Sequence, residues 1–404
     1  MKRLLTILSM TIIAGFFISS VVSSEVCVSV EASEEGFNDK KTHLPAEKMR
    51  KENARIREEL GKIREENAQT IEKFRASAEK IANKFMKIGK EKITAMNDVL
   101  AMSEYKREIK EEFSVGASAS LSISNMFGNV QVLEGTDDKI TFKVTITGKG
   151  ANRDEAKKYA ESVTVGFTHK KDAVSAKTVF EKINCNNCGR NVDYEVYAPK
   201  GVQLTFDNQF GDIKINNTAK PFKVKLQFGK LYANIVTDTE LDIQHGGATI
   251  NKCKNMNMKS SFSKYKFGEI ETLSGSVSYD GIDIEELVQG EVKSDFSSID
   301  IEKLKKSFYA KKFSYGSLKI AGVDKNFSNI KVDASFSKVR LMLTESHNFK
   351  TTLYSSFGHI KTGNVVFQEK TLDKKDVVVG IVGSVKEPAA IVDISNPYGS
   401  IVLQ

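Results

Sequence analysis

The sequence has no tryptophan, only 5 prolines and only 4 cysteines, and it lacks the short motifs of common catalytic chemistries. It contains no phosphate-binding loop, no HExxH and no GxSxG. Cys185 and Cys188 form its one CxxC pair, whereas a structural zinc site needs four ligands. No run of Lys and Arg is interleaved with aromatic residues, which argues against nucleic-acid binding. These absences predict a non-enzymatic protein without a metal or cofactor.

Long apolar runs are also missing, apart from one near the N-terminus. Residues 4–18 are apolar, follow the charged pair Lys2 and Arg3, and precede small residues. This pattern predicts a signal peptide over residues 1–32, because the run is too short for a membrane span. We therefore expect export to the periplasm or to the cell surface in association with the outer membrane, with no integral membrane span after cleavage.

Cys27 raises the question of a lipid anchor. The residues before it, Ser24, Glu25 and Val26, do not supply the small side chains that a lipidation site needs. Cleavage without lipidation is therefore favoured, and lipidation is the alternative. Residues 33–44 form a predicted linker. The formal charge of +8 is a modest basic excess, which favours attraction to anionic polymers of the cell envelope.

Residues 45–112 have the composition of a long helix, since Lys, Glu, Arg and Ala dominate and Gly occurs there only twice. Pro45 suits the first turn. The helix either packs on the rest of the chain or forms a coiled-coil stalk for self-association; a partly disordered spacer is a third alternative. Apolar residues at spacings of mostly three and four predict one stripe: Ile56, Leu60, Ile63, Ile71, Phe74, Ala78, Ile81, Phe85 and Ile88.

From the middle of the chain onward, one short unit recurs: an apolar alternation, an aromatic residue, a Gly or Ser, and a second alternation. Successive aromatic positions are 18, 17, 17, 17, 17, 19, 21 and 21 residues apart, and then 41. A degenerate copy begins at Val382, and an upstream copy at Phe127 stands apart. The ten positions are Phe210, Phe228, His245, Phe262, Tyr279, Phe296, Tyr315, Phe336, Phe357 and Tyr398.

Self-similarity at a short fixed period predicts a solenoid, and period-two alternation predicts strands. We therefore predict a mainly β fold, a single-stranded β-solenoid of ~17–21-residue coils over residues 201–404, with coils roughly 4.8 Å apart. Residues 113–200 are predicted to form its β-rich N-terminal cap, with a short helix at Arg153–Val163. The long helical segment precedes the cap.

The aromatic residues are expected to stack in a structural column inside the solenoid, because apolar alternation flanks each of them. A track on which sugars stack is the alternative. His245, which replaces an aromatic ring in this column, is expected to be a packed, hydrogen-bonded residue rather than a ligand.

The part of the chain from Phe113 to Gln404 resembles the bacterial adhesin domains of β-solenoid type, found as head domains in autotransporter-like adhesins. The resemblance is carried by LSISNMFGNVQV, by VDYEVYAPKGVQLTFDNQFGDIKI and by the repeated F-G-x-I-x-I units. It implies a β-solenoid with a binding or structural role. It carries no catalytic residue, because most members of the family have no known activity.

Two groups of residues invite a chemical interpretation. Cys185 and Cys188 are expected in a loop as a local disulfide or an exposed thiol pair, while Cys253 is a single thiol near a coil corner. Asp283 and Asp300 occupy the same coil position and are expected on adjacent coils, as in some carbohydrate-active enzymes. Lys and Arg residues fill the same position in other coils, so a solvated outer face of mixed charge is favoured.

The chain ends on a strand-like segment without a hydrophobic tail, which argues against autotransport and leaves the last coil without an obvious cap. Either residues 45–112 fold back onto it, or the last strand is a contact site. We predict an exported, adhesin-like binding or structural module of a Gram-negative-type cell envelope, with an unknown envelope or host polymer or protein as partner. A periplasmic scaffold or sensor component that engages a partner through the N-terminal helix is the alternative, and a carbohydrate-active enzyme is a second one.

Overall fold

The structure, a computed structural model, describes residues 102–404 apart from Asp137, 185–187, Glu345 and Asn364. It also describes eleven separate positions between residues 58 and 87, all of them helical and exposed. The chain divides into two units, Met1–Ala101 and Met102–Gln404. The predicted signal peptide, the linker and Cys27 lie outside the described residues.

Within the first unit, Lys62 and Glu58 are one helical turn apart and form an exposed ion pair of 3.1 Å. The prediction that the helix continues to residue 112 is wrong, because Ser103–Ser114 is a strand. Tyr105, Ile109 and Phe113 of this strand turn one face toward the core. Charged residues occupy most positions between them, so the period-two pattern is weak in the sequence.

The described residues of the second unit form strands and one helix, α1 (Arg153–Glu161). The strands are β1 (Ser103–Ser114), β2 (Ser120–Asn125), β3 (Val130–Glu134), β4 (Lys139–Gly150), β5 (Val163–Lys170), β6 (Ala173–Phe180), β7 (Gly189–Ala198), β8 (Gln203–Gln209), β9 (Ile213–Ile215), β10 (Phe222–Gln227), β11 (Lys230–Gln244), β12 (Gly247–Ser261), β13 (Lys264–Ser278), β14 (Gly281–Asp295), β15 (Ser298–Ser314), β16 (Ser317–Ile320), β17 (Asn329–Ser335), β18 (Lys338–Leu341), β19 (Phe349–Tyr354), β20 (His359–Lys361), β21 (Phe367–Asp373), β22 (Val377–Val382), β23 (Ala390–Ser395) and β24 (Ser400–Leu403).

Parallel pairing between successive coils builds the solenoid. Strands β11 to β15 pair parallel in chain order, and the register from β11 to β14 advances by one repeat, as in Leu231↔Ala248 and Ala248↔Tyr265. Each of these long strands bends, because its pairing with the next strand skips positions such as Asn251 and Lys254. The repeat read from the sequence therefore sets a mostly parallel sheet, as predicted, and successive coils stack on one another.

The sequence suggested that the upstream copy at Phe127 stands apart from the other repeats, but the structure shows that it does not. Strand β2 pairs parallel with β8, and β3 pairs parallel with β9, so Phe127 belongs to a coil stacked directly on that of Phe210. Residues 135–202 interrupt these two copies; their strands pair antiparallel with one another, while β6 and β7 also pair parallel with β2 and β3. Strand β4 pairs with β1 and β7, and β5 pairs with β6.

Helix α1 packs against the interrupting strands through Ala156, Tyr159 and Ala160, which are buried. It begins at Asn152, whose side chain accepts a hydrogen bond of 2.9 Å from the backbone N–H of Glu155. The sequence predicted a short helix at Arg153–Val163, and the observed helix, Arg153–Glu161, confirms it.

The last coils are not stacked in chain order. Strand β23 lies between β17 and β19, and β24 lies between β18 and β20. The final segment of the chain is thus inserted one coil before the end. The expectations of an uncapped last strand and of a coil at Val382 are both wrong, because β22 ends at Val382 and pairs antiparallel with β19 and β21.

Aliphatic and aromatic side chains from the inward positions of every coil form one continuous core. Ile213, Leu231, Ile282 and Ile299 illustrate the inward column that follows the aromatic position, and all are at most 1% exposed. Neighbouring coils approach closely beside that position. A Cβ on Gly229 would lie 2.1 Å from the carbonyl oxygen of Gly211, and one on Gly246 would lie 2.2 Å from that of Gly229.

We predict that Gly246→Ala destabilises the protein by on the order of 1–3 kcal/mol, because the added methyl group overlaps the backbone of the preceding coil. Gly201→Ala is the control, since a Cβ there has no neighbour within 4 Å. Its effect should stay within about 0.5 kcal/mol. Urea unfolding of the full chain measures both changes. If Gly246→Ala and Gly201→Ala changed the free energy of unfolding equally, the close approach at Gly246 would be contradicted.

Candidate functional site

An unbroken row of aromatic rings runs along one corner of the solenoid, and we call it the aromatic ladder. Eight of its members are between 44% and 52% exposed, His245 is also exposed, and Phe357 at the end is 76% exposed. The ladder consists, in spatial order, of Phe127, Phe210, Phe228, His245, Phe262, Tyr279, Phe296, Tyr315, Phe336, Tyr398 and Phe357.

The rings of the ladder are stacked face to face. From Phe210 to Phe357, neighbouring centroids are 4.6–5.1 Å apart, and the ring planes differ by 1–8°. Phe127 and Phe210 are 5.2 Å apart at 20°. These separations match the distance between hydrogen-bonded strands, so the sheet sets the spacing of the rings.

The prediction that these rings lie inside the solenoid is wrong, and so is the core placement of His245. The cause is the backbone at the aromatic residue itself. Eight ladder residues, from Phe210 to Phe336, have φ between 51° and 57°, the left-handed region. The left-handed turn directs the ring outward, although the aromatic residue stands at a position where the alternation would place an inward side chain. Leu204 and Phe206 are buried, whereas Phe210 is exposed.

A sequence signal of this corner exists, although it does not identify the residue that turns. Before the corner, inward residues are two positions apart. The next inward residue lies three positions after the aromatic residue, as Phe210 and Ile213 show. An odd step breaks a period-two pattern, which indicates an irregularity. Glycine is the residue that most readily adopts such a turn, yet neither Gly211 nor Gly229, which follow the aromatic residues, has a positive φ.

Placing a non-glycine residue in the left-handed region costs about 1 kcal/mol or more. Each stacked aromatic pair contributes about 0.5–1.5 kcal/mol beyond its burial. An internal ring such as Phe262 takes part in two pairs, with His245 and Tyr279. Stacking therefore offsets the strain of the corner.

We predict that Phe262→Gly yields a more stable protein than Phe262→Ala, by roughly 0.5–1 kcal/mol, because glycine adopts the φ of 54° without strain. Both variants lose the two stacks. At Tyr232, which lies in β11 and has no positive φ, alanine should be the more stable of the two replacements. Chemical denaturation of the four variants checks the reversal, and the same order at both positions would contradict it.

The geometry rules out sugars stacked between the rings. Inserting a sugar would require rings about 7 Å apart, twice a van der Waals contact, but they are 4.6–5.1 Å apart. At one end of the ladder, Phe180 covers Phe127 edge-on at 5.5 Å. What the ladder presents along its length is therefore a ridge of ring edges, with the face of Phe357 open at the other end.

A shallow trough of about 670 Å³ follows one side of this ridge. Four ladder rings form its wall, and the residues one and two places after each ring form its floor. That floor is made mainly of small residues: Ser263, Lys264, Asp280, Gly281, Ser297, Ser298, Gly316 and Ser317.

The buried floor residues join neighbouring coils by hydrogen bonds. Ser263 Oγ accepts a bond of 3.2 Å from the backbone N–H of Gly246, and Ser297 Oγ accepts one of 3.1 Å from that of Asp280. The Asp280 carboxylate accepts bonds from the backbone N–H groups of Ser263 and Ser278, at 2.7 and 3.0 Å. Burial raises the pKa of the Asp280 carboxyl above its usual range, although these bonds oppose the shift.

We predict that Asp280→Ser stabilises the protein at neutral pH, because serine fills the same position in both neighbouring coils. A carboxyl whose pKa is raised by folding loses its proton first in the unfolded chain, so its contribution to stability falls as pH rises. The advantage of the variant should therefore be larger at neutral than at acidic pH, as thermal unfolding across pH would show. A pH-independent difference would contradict the burial of the charge.

A model of one protein family, described as Toastrack DUF4097, matches residues 119–403, which is most of the chain and contains the whole ladder. The chain belongs to this family. No curated protein sequence matches it. The match begins just before β2, and it includes the antiparallel strands and the inserted C-terminal segment.

Several solved structures resemble the Toastrack domain, all at low identity. One is a "putative cell adhesion protein" from Clostridium sporogenes, at 9% identity over 74% of this chain and 99% of that chain, with a TM-score of 0.17. Another is a "putative adhesin" from Bacteroides fragilis, at 11% over 58% and 97%, with a TM-score of 0.33. A "putative lipid binding protein" from Parabacteroides distasonis has 12% identity over 58% and 96%, with a TM-score of 0.33.

Asp283 and Asp300 lie side by side on β14 and β15 of the Toastrack domain, as predicted. Both are exposed, and Lys266 and Lys319 are their neighbours in the adjoining strands. They line an open groove of about 480 Å³ on an outer face of the sheet. Acidic residues flanked by lysines give this face the mixed charge expected from the sequence.

The cysteines of the Toastrack domain show no sign of reactivity. Cys188 is disulfide-bonded, and its predicted partner Cys185 lies outside the described residues. Cys253 is buried, and burial raises its pKa to about 11, so its thiol stays protonated at neutral pH. Among the described residues, no cluster of His, Cys, Asp and Glu could hold a metal, and no helix is long and apolar enough to cross a membrane.

Proposed function

We propose that this protein is an exported, non-enzymatic binding module of the cell envelope and that the aromatic ladder is its binding surface. The observation that carries the proposal is the exposure of the rings, eight of them between 44% and 52%. An aromatic side chain offers about 150–250 Å², so eleven half-exposed rings present on the order of 1,000 Å² of contiguous apolar surface. The largest apolar patch on a typical monomer is about 300–600 Å² and often functional.

The backbone around the ladder supports a binding role as well. Each of the eight rings from Phe210 to Phe336 is fixed by a strained corner and by two stacked neighbours, so it loses little conformational freedom when a partner covers it. Rigid aromatic side chains are the residues that most often dominate binding energy. The ladder is thus a preorganised, linear surface about 50 Å long, given ten steps of roughly 4.8 Å.

The test is binding of dilute purified protein to intact envelopes of the producing cells. The double variant Phe262→Asn/Phe296→Asn removes two rings, and Asn tolerates the left-handed corner, so the fold should persist. Binding should fall more than about tenfold, since aromatic residues central to an interface contribute about 2 kcal/mol or more.

Tyr232→Thr is the matched control for this experiment. Tyr232 is an exposed ring outside the ladder, and Thr249 already occupies the same register position in the next coil. The control should bind like the unmodified protein. Equal losses in both variants, or none in either, would contradict the role of the ladder.

Protease treatment of intact cells tests the location. Digestion of the Toastrack domain with a periplasmic marker spared would support exposure on the cell surface. Complete protection would favour the alternative of a periplasmic scaffold that engages a partner through residues 45–112. Recovery of the domain only with cytoplasmic markers would contradict export.

A further inference from the structure

We propose that the partner of the aromatic ladder is a second copy of this chain. The two copies lie side by side with their chains running in parallel, related by a two-fold axis that is parallel to the ladders. The ladder of each copy lies in the trough of the other. This inference rests on the proposed binding role of the ladder and names its partner.

The surface that the ladder exposes has the shape of a regular ridge. Ring faces are covered by neighbouring rings, so a partner meets ring edges that repeat every 4.6–5.1 Å. A second parallel solenoid repeats at the same spacing, because strand pairing fixes it at roughly 4.8 Å. Contacts that form at one ring therefore form again at the next without any mismatch accumulating along the rod.

The position of the trough determines the symmetry of the pair. The trough lies on the side of the ladder that carries Ser263, Ser297 and Ser317. An antiparallel pair of facing rods would place ridge against ridge. Rotation about an axis parallel to the ladder instead places each ridge over the trough of the other copy, and it keeps equivalent coils at the same level.

Charged residues are scarce directly beside the ladder. The residue before each ring is neutral in the array from Phe210 to Phe336, with Asp295 as the exception. Within the trough, Asp280 is buried and Lys264 is the one cation. Beyond the trough, the floor position is charged in some coils, as at Lys230 and Lys338, and charges become frequent farther out, as at Lys266, Asp283 and Asp300. An apolar centre, a neutral border and a charged rim are the anatomy of a protein–protein interface.

The exposed area of the ladder is large enough for a dimer interface. The ladder exposes on the order of 1,000 Å² of apolar surface per copy. A standard stable interface buries about 800 Å² on each partner. A second copy therefore covers the surface that a single copy leaves exposed to water.

The oligomeric state of the purified full chain tests the proposal, measured by sedimentation across a range of concentrations. We expect a dimer that dissociates on dilution. Ser298→Arg should make it monomeric, because Ser298 is exposed on the trough floor and a long charged side chain there would block the ridge of the partner without disturbing any ring. Phe262→Asn/Phe296→Asn should weaken the dimer as well.

Glu271→Arg is the control for added charge, since it is exposed and lies about midway along the coil between Phe262 and Tyr279. It should leave the dimer intact. A chain that is monomeric at every concentration, or a dimer insensitive to Ser298→Arg, would overturn the proposal.

Disulfide crosslinking tests the parallel arrangement. In that arrangement the ring position of one copy faces the trough floor of the same coil in the other, so a mixture of Phe296→Cys and Ser298→Cys chains should form crosslinked pairs faster than either variant alone. If either variant alone formed crosslinked pairs as fast as the mixture, the parallel arrangement would be contradicted.

Failure of these tests is distinct from failure of the proposed function. If the protein is monomeric but the ladder variant still loses envelope binding, the ladder keeps its binding role with a different partner. If the purified protein no longer binds envelopes from cells that lack this protein, a second copy of the chain is supported as the partner.

Discussion

The distance between neighbouring coils is the constraint on which the other features of this protein depend. Parallel strands hold the coils at the spacing of a β-sheet, and stacked rings require almost the same spacing. The two requirements agree along the ladder, where ring centroids from Phe210 to Phe357 are 4.6–5.1 Å apart. A coil of any other pitch would separate the rings or break the strand pairing.

The same constraint explains why the rings are outside. From Phe210 to Phe336, a left-handed residue at each corner directs the side chain away from the core, and stacking offsets the strain that this conformation costs. The small residue that follows lets the backbones approach, as at Gly229 and Gly246. The outcome is a stable corner that leaves about half of each ring exposed to water, and that exposure is what makes the ladder available to a partner.

The sequence predicted the architecture because its repeat is regular, but four features could not be read from it. The sign of φ at Phe262 is not encoded by a local pattern, since glycine rather than an aromatic residue is expected there. The insertion of β23 and β24 before the last coil depends on long-range pairing, while repeats reveal only chain order. Strand β1 was hidden by its charged residues, which resemble the surface of a helix. Asp280 was missed because only burial distinguishes it from exposed acidic residues.

The central claim is that the exposed ladder is the surface that binds, and hydroxyl-radical footprinting tests it most directly. The measurement compares oxidation of ladder rings in the dilute, isolated protein with oxidation in the protein bound to envelopes, using Phe222 and Phe308 of the core as internal references. The account predicts that ladder rings are oxidised far more than the core rings in the isolated protein and become protected on binding, while Tyr232 stays reactive. Protection confined to the face of Asp283 and Asp300, with the ladder still reactive, would contradict it.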